Sequence, residues 1–360
     1  MRSRLKRILL ALGILGGLAT SAAGEPALLV ARDADTTVYL FGTIHYVPCA
    51  AADLETEFGL RVGGEATAAT GCADWMSDAV QAALGEADEL WIETLDVVDG
   101  AVDPAMVVEF MMFDGRERLT DYVPEAELRA IAEAIAGPLS EDALAELDTL
   151  KPWVVTSLFA EVLLVRGAAS ATAGVDLTLV QLAEEQGTPL RGFETAEDQI
   201  RAQASIPLEM QVGDLRSLGV FARRGIDAAP IVMWMFGKIW AAWLEGDLET
   251  AGFLAMADDE AFLERYAAEL EALLGIGAAE LVAMTAEMNA GYVGLDPAQR
   301  AIVEYEAMIA QRNRNWMPAI RSMLNRPGTY FVAVGAAHLT GDGAIQALLA
   351  AEGVTVERVQ

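Results

Sequence analysis

Strand-forming residues in this chain gather toward its two ends, with one run midway. Runs rich in β-branched and aromatic side chains stand at 27–32, 37–42, 89–94, 189–194, 329–335 and 354–359, while Asp103 to Asn325 is patterned almost entirely as helix, broken only around 187–194. A helix-like stretch at 75–88, with Ser77 as its N-cap, joins the second run to the third, and another at 341–353 joins the last two. Strand, helix, strand at that spacing is the βαβ signature of a parallel pair. The expected fold over 24–360 is therefore a single mixed α/β domain. Its central, largely parallel sheet takes strands from both chain ends, and a large helical insertion or cap occupies about 103–325. No internal repeat and no linker-like segment divides it.

Residues 1–23 read as a secretory signal peptide outside that fold. "MRSRLKR" is basic, "ILLALGILGGL" is an apolar run of 11 residues, and "ATSAAG" places Ser21 and Ala23 before a cleavage point. Such a run is well short of the ~20 residues needed to span a bilayer, so the expected product is periplasmic or secreted, with no integral membrane span. Removing the segment takes away four basic residues and moves the formal charge from −30 to −34. That surface repels nucleic acid and anionic lipid head groups. The 54% hydrophobic content supplies a real core and argues against disorder. Cys49 and Cys72 are expected to form a disulfide, worth about 3 kcal/mol on chain-entropy grounds. The competing use is Cys49, four residues after His45, as a thiolate metal ligand.

The two histidines share one local pattern: "YLFGTIH" ends at His45 and "VAVGAAH" at His338, each a strand-like run followed by Gly-x-x-His through Gly42 or Gly335. A glycine at a strand exit lets the chain turn sharply or approach a ligand closely. A residue three places on can then point back across the end of the sheet. Glu93 closes "ELWIE" and Glu194 closes "LRGFE". Ligands of open parallel sheets bind beyond the carboxyl ends of the strands, so both imidazoles and both carboxylates are expected at one edge. Two neutral His and one carboxylate suit Zn, Mn, Co or Fe(II), with positions left for water. A metal draws the pKa of that water toward ~7, and a second carboxylate can act as its base. The blander readings are core histidines, Glu93 paired with an Arg, and "ETAED" (194–198) as an acidic first helical turn.

No H-E-x-x-H, G-x-S-x-G or P-loop occurs, and Ser157 or Ser170 beside a His has no local support. "IVMWMFGKIWAAW" (231–243) could mark a membrane-facing or partner-facing surface, but it reads better as a core helix of the cap, as does "MVVEFMMF" (106–113).

The chain resembles the TraB/GumN family, which includes Tiki metalloproteases and PrgY proteins. The resemblance rests on "YLFGTIHYVP" (39–48), "ALGEADELWIET" (83–94), "LKPWVVTSL" (150–158), "GVDLTLVQLAEEQGTPLRGFETAEDQ" (174–199), "WLEGDLE" (243–249), "QRNRNWMPAI" (311–320) and "YFVAVGAAHLTGDGAIQALLAAEGVTVERV" (330–359). It implies a fold similar to erythromycin-esterase and ChaN-like proteins. It also implies divalent-metal-dependent hydrolysis of a peptide or other small substrate. On the family pattern His45, Glu93 and His338 hold the metal, Glu194 is base or second ligand, and Gly42 and Gly335 shape the two motifs. Arg312 and Asn313 match an "RN" pair on a long helix, where Arg312 orients a carboxylate or stabilises an oxyanion. The segment between Cys49 and Cys72 departs from the pattern directly after the first motif. Two other readings stay open: a metal-independent hydrolase using His as base with Glu support, and a non-catalytic peptide- or haem-binding protein.

Overall fold

A computed structural model of the chain describes residues 25–51, 70–72, 74–95, 104–167, 169–171, 174–256, 259–292, 294 and 296–359. The expected signal peptide and most of the segment between the cysteines lie outside these residues.

The described strands are β1 (Leu28–Arg32), β2 (Thr36–Thr43), β3 (Val47–Ala51), β4 (Thr70–Cys72), β5 (Glu89–Thr94), β6 (Ala169–Ser170), β7 (Leu190–Glu194), β8 (Gly328–Gly335) and β9 (Val356–Arg358). Six of them form one sheet in the order β7-β5-β8-β2-β1-β9, and β4-β3-β6 make a small second sheet. β7, β5, β8 and β2 run parallel, whereas β1 is antiparallel to both β2 and β9. The main-sheet strands thus lie where the sequence pattern predicts them.

Their neighbours differ from the βαβ reading. β2 and β5 point the same way, but β8 lies between them, pairing with β2 from Thr36↔Gly328 to Thr43↔Gly335 and with β5 from Glu89↔Tyr330 to Trp91↔Val332. β9 likewise pairs with β1 and not with β8. The physical reason lies in β8 itself, where Tyr330 to Val334 are all buried. A strand apolar on both faces belongs at the centre of a parallel sheet.

The helices are α1 (Asp78–Gly85), α2 (Glu125–Ala136), α3 (Glu141–Leu147), α4 (Pro152–Arg166), α5 (Val175–Gln186), α6 (Ala196–Ala204), α7 (Leu208–Arg224), α8 (Ala229–Leu244), α9 (Leu248–Met256), α10 (Asp259–Leu274), α11 (Ala278–Asn289), α12 (Pro297–Tyr305), α13 (Gln311–Leu324) and α14 (Ile345–Ala351). Ser77 caps α1, accepting from the Val80 N–H. α6 follows a Thr195–Asp198 capping box, so "ETAED" does open a helix, with Glu197 and Asp198 in its first turn. π turns occur at Val107–Met111 and, between α12 and α13, at Glu306–Ala310.

Alternation along β2 and β8 divides the core. Tyr39, Phe41, Phe331 and Ala333 pack with residues of α1 and α5 and with Trp240 and Trp243 of α8. Val38, Leu40, Val332 and Val334 pack against Trp316, Met317 and Ile320 of α13 and against α14. The sheet is therefore covered on both faces. A separate apolar cluster joins α2, α4, α7, α10 and α11 in the helical part.

Candidate functional site

The shared direction of β2, β5, β7 and β8 brings their carboxyl ends to one edge. Register partners Thr43 and Gly335 put the two Gly-x-x-His segments side by side. At Gly42 a Cβ would stand 3.0 Å from the Ala336 Cα, so the missing side chain lets the two exits touch. Trp243 donates to the Gly42 carbonyl at 2.7 Å and secures that crossing from the helical side.

From there the two histidines diverge. His338 enters a 3₁₀ turn (Ala336–Leu339), is 2% exposed, and lies with its ring centroid 4.4 Å from that of Trp316. Asn313 donates from Nδ2 to the carbonyls of His338 and Gly343, which leaves Asn313 Oδ1 facing His338 Nδ1 at 2.6 Å. Nδ1 therefore carries the proton. Nε2 accepts from Arg312 Nη1 at 3.1 Å. Burial first, and the nearby Arg312 charge after it, push the His338 pKa down to about 3 against the pull of Glu93.

Arg312 is the centre of this cluster. Its Nε donates to Glu194, its Nη2 to Glu194 and, at 2.5 Å, to Glu93, and its Nη1 to the Met308 carbonyl at 3.0 Å as well as to His338. Met308 lies in the π turn that precedes α13, the sort of local irregularity that recurs at functional sites. These bonds use all five N–H groups of the guanidinium. Of the two roles expected for Arg312, they describe the orienting of carboxylates.

The two carboxylates feel this shared cation differently. Burial works to raise Glu93, but its electrostatic interactions with His338, Arg312 and His45 and the Gly335 N–H, 2.7 Å from Oε1, bring its pKa to about 2. Gln199 of α6 donates to its other oxygen at 3.1 Å. Glu194 is raised, since burial outweighs Arg312 and the Trp316 N–H that donates to it at 3.0 Å.

His45 sits on the other side of Glu93. Its side chain is 65% exposed, and Nδ1 stands 2.6 Å from Asp176 Oδ2. Asp176 lies in the first turn of α5, where a carboxylate is favoured by the helix dipole. The start of α5 is docked to the exit of β2: the Val175 N–H donates to the Ile44 carbonyl at 3.0 Å. A Cβ on Gly174 would stand 2.4 Å from the His45 carbonyl oxygen, so glycine is required at this approach. His45, Asp176 and Glu93 line one cavity of about 330 Å³, together with Thr43, Gln199 and Gln203. Its walls do not include Glu194, Arg312 or His338.

The expected residues are thus divided between a buried charged cluster (Glu93, Glu194, Arg312, Asn313, His338) and an open cavity (His45), with Glu93 common to both. Pattern reading missed Asp176 and Gln199. The signal was present in "GVDLT", an acidic residue at a helix start in a matching segment. Cys49 and Cys72 are register partners on β3 and β4 and are joined as a disulfide. That disposes of Cys49 as a thiolate ligand.

As arranged, His45, Glu93 and His338 do not fit a metal ion. The Nε2 lone pair of His338 is met by an Arg312 proton, and both Glu93 oxygens accept hydrogen bonds, one of them from the same guanidinium. A metal there would face a buried positive charge. Among the described residues no group of three or more His, Cys, Asp and Glu side chains is placed to hold one.

These features define a class: an open α/β sheet with helices on both faces and a charged site beyond its carboxyl edge. Within that class, a family model of the TraB/PrgY/gumN family matches residues 67–358, and the chain belongs to that family. The match takes in Glu93, Asp176, Glu194, Arg312, Asn313 and His338, while Gly42 and His45 precede it. Comparisons with curated proteins and with solved structures return no match.

Proposed function

We propose that the chain is a hydrolase that cleaves a peptide, or a similar small amide or ester, in the cavity between His45 and Glu93. The observation that carries this reading is the 2.6 Å contact between His45 Nδ1 and Asp176 Oδ2 on the wall of that cavity. With the carboxylate accepting from Nδ1, Nε2 is the basic nitrogen of the ring. It takes a proton from a water as that water adds to the substrate carbonyl, then returns it to the departing amine or alcohol. Asp176 fixes the tautomer and stabilises the imidazolium. Glu93, ionised and facing the same space, favours that cation as well. Gln199 and Gln203 offer amide groups to the substrate backbone. Arg312, Glu194, Asn313 and His338 hold Glu93 and the sheet edge in place.

A second reading is the metal-dependent hydrolase implied by the family resemblance. It is favoured by the 3.7 Å between His338 Nε2 and Glu93 Oε1, and it requires Arg312 to leave both. Mature protein dialysed against a chelator, then given a defined peptide mixture with products read by mass spectrometry, separates the readings. The proposal expects cleavage by wild type and its loss in His45→Ala. Cleavage only after Mn, Co, Zn or Fe is restored supports the metal reading. Saturable peptide or haem binding with no cleavage in either condition supports a binding protein and overturns both.

A further inference from the structure

The helical part of the molecule contains a second and larger cavity, of about 530 Å³, with no connection to the chemistry above. It lies among α7, α8, α9, α10 and α11. Its wall is almost wholly aliphatic, aromatic or thioether: Phe221, Ile239, Phe262, Leu263 and Leu281 are typical, and Met235, Met284 and Met288 add three flexible side chains. Part of the wall comes from "IVMWMFGKIWAAW", whose Phe236, Trp240 and Trp243 are buried elsewhere while Met235 and Ile239 face this space.

Among the described residues, the only hydroxyls in the wall are already committed to their own helices. Ser217 donates to the Asp214 carbonyl at 2.7 Å and Thr285 to the Leu281 carbonyl at 3.1 Å. Water needs about two to four polar partners to be held in a buried site, so this space is poor at retaining it. Apolar cavities of roughly 150 Å³ stay dry and admit small hydrocarbons, and this one is several times larger. It falls within the ~300–1,000 Å³ of small-molecule sites. Methionines let such a wall adapt to a flexible guest.

From these features we infer that the helical cap binds an apolar small molecule of the single-acyl-chain class. The chain lies among the five helices. The site is independent of the proposed hydrolytic cavity, since the two share no wall residue.

Hexadecanoate titrated into mature protein by calorimetry tests this directly. The expected result is saturable binding at one molecule per chain, with a rise in Tm. Met235→Trp and Leu263→Trp, which fill the space, are expected to weaken it at least tenfold. A photoactivatable analogue of the same fatty acid, used on the wild type alone, is expected to label peptides of α7, α8, α9, α10 or α11. The inference is overturned by non-saturable uptake, by labelling confined to other parts of the chain, or by unchanged binding in both variants with their fold intact.

Discussion

Thr43 and Gly335 are register partners on adjacent parallel strands, so the two Gly-x-x-His segments leave the sheet side by side. What each histidine meets beyond that point is set by a different helix. α13 crosses the exit of β8 and buries His338, whereas the first turn of α5 stands beside the exit of β2 and gives His45 an acidic partner at the cavity. One sequence motif therefore yields a buried imidazole and an exposed one at the cavity, the second being the base of the proposed reaction.

Removal of the working imidazole is the first test. His45→Ala is expected to lower kcat by about 10²–10⁴-fold with its fold intact, the usual worth of a positioned general base. Circular dichroism and steady-state kinetics on a cleaved peptide check both halves of that statement.

Asp176→Asn keeps the shape of the pair but lets the partner donate, which favours the tautomer with its proton on Nε2. The expected outcome is a loss in kcat of about 10³–10⁴-fold with KM little changed. A loss carried by KM alone would assign Asp176 to substrate binding.

The Arg312 cluster is a matter of stability. Arg312→Ala leaves Glu93 and Glu194 as uncompensated buried carboxylates and is expected to cost about 3–5 kcal/mol in urea unfolding. Arg312→Lys keeps the charge but lacks the fork that reaches Glu93, Glu194 and His338 together, and should recover only part of that loss. Full recovery by Lys would show that charge alone matters.

His338 gives the molecule a pH signature. Its pKa is about 3 in the fold against 6.5 without it, so between those values the unfolded chain binds a proton that the folded chain refuses. Stability contributed in this way is complete above about 6.5 and is lost as pH falls toward 3. Glu93, at about 2 against 4.5, adds a loss in the same direction below 4.5. Urea midpoints measured between pH 7 and 4 should fall steeply for wild type and less steeply for His338→Gln, which is less stable at neutral pH but has nothing to titrate. Equal slopes would remove His338 as the source.

Much of this was legible in the residues because it is local. Strand-like runs, Ser77 as a cap, and glycine before each histidine all act within a few positions, and the carboxyl-edge rule then gathers His45, Glu93, Glu194 and His338. What was not legible depends on distant packing. Nothing near β2 says that β8, which begins almost 300 residues later, will separate it from β5. Nor does "QRNRNW" reveal that Arg312 will spend four of its five N–H groups on Glu93, Glu194 and His338, from three other parts of the chain. Asp176 was hidden for the opposite reason, since an acidic residue in a first helical turn is so common that it suggests only a helix start.

The most direct measurement is the rate of peptide cleavage by wild-type protein freed of metal by dialysis against a chelator, with metal content verified by elemental analysis. Chemistry based on His45 and Asp176 predicts an undiminished rate that is lost in His45→Ala under the same conditions. A rate abolished by the chelator and restored by one equivalent of a divalent ion would contradict it.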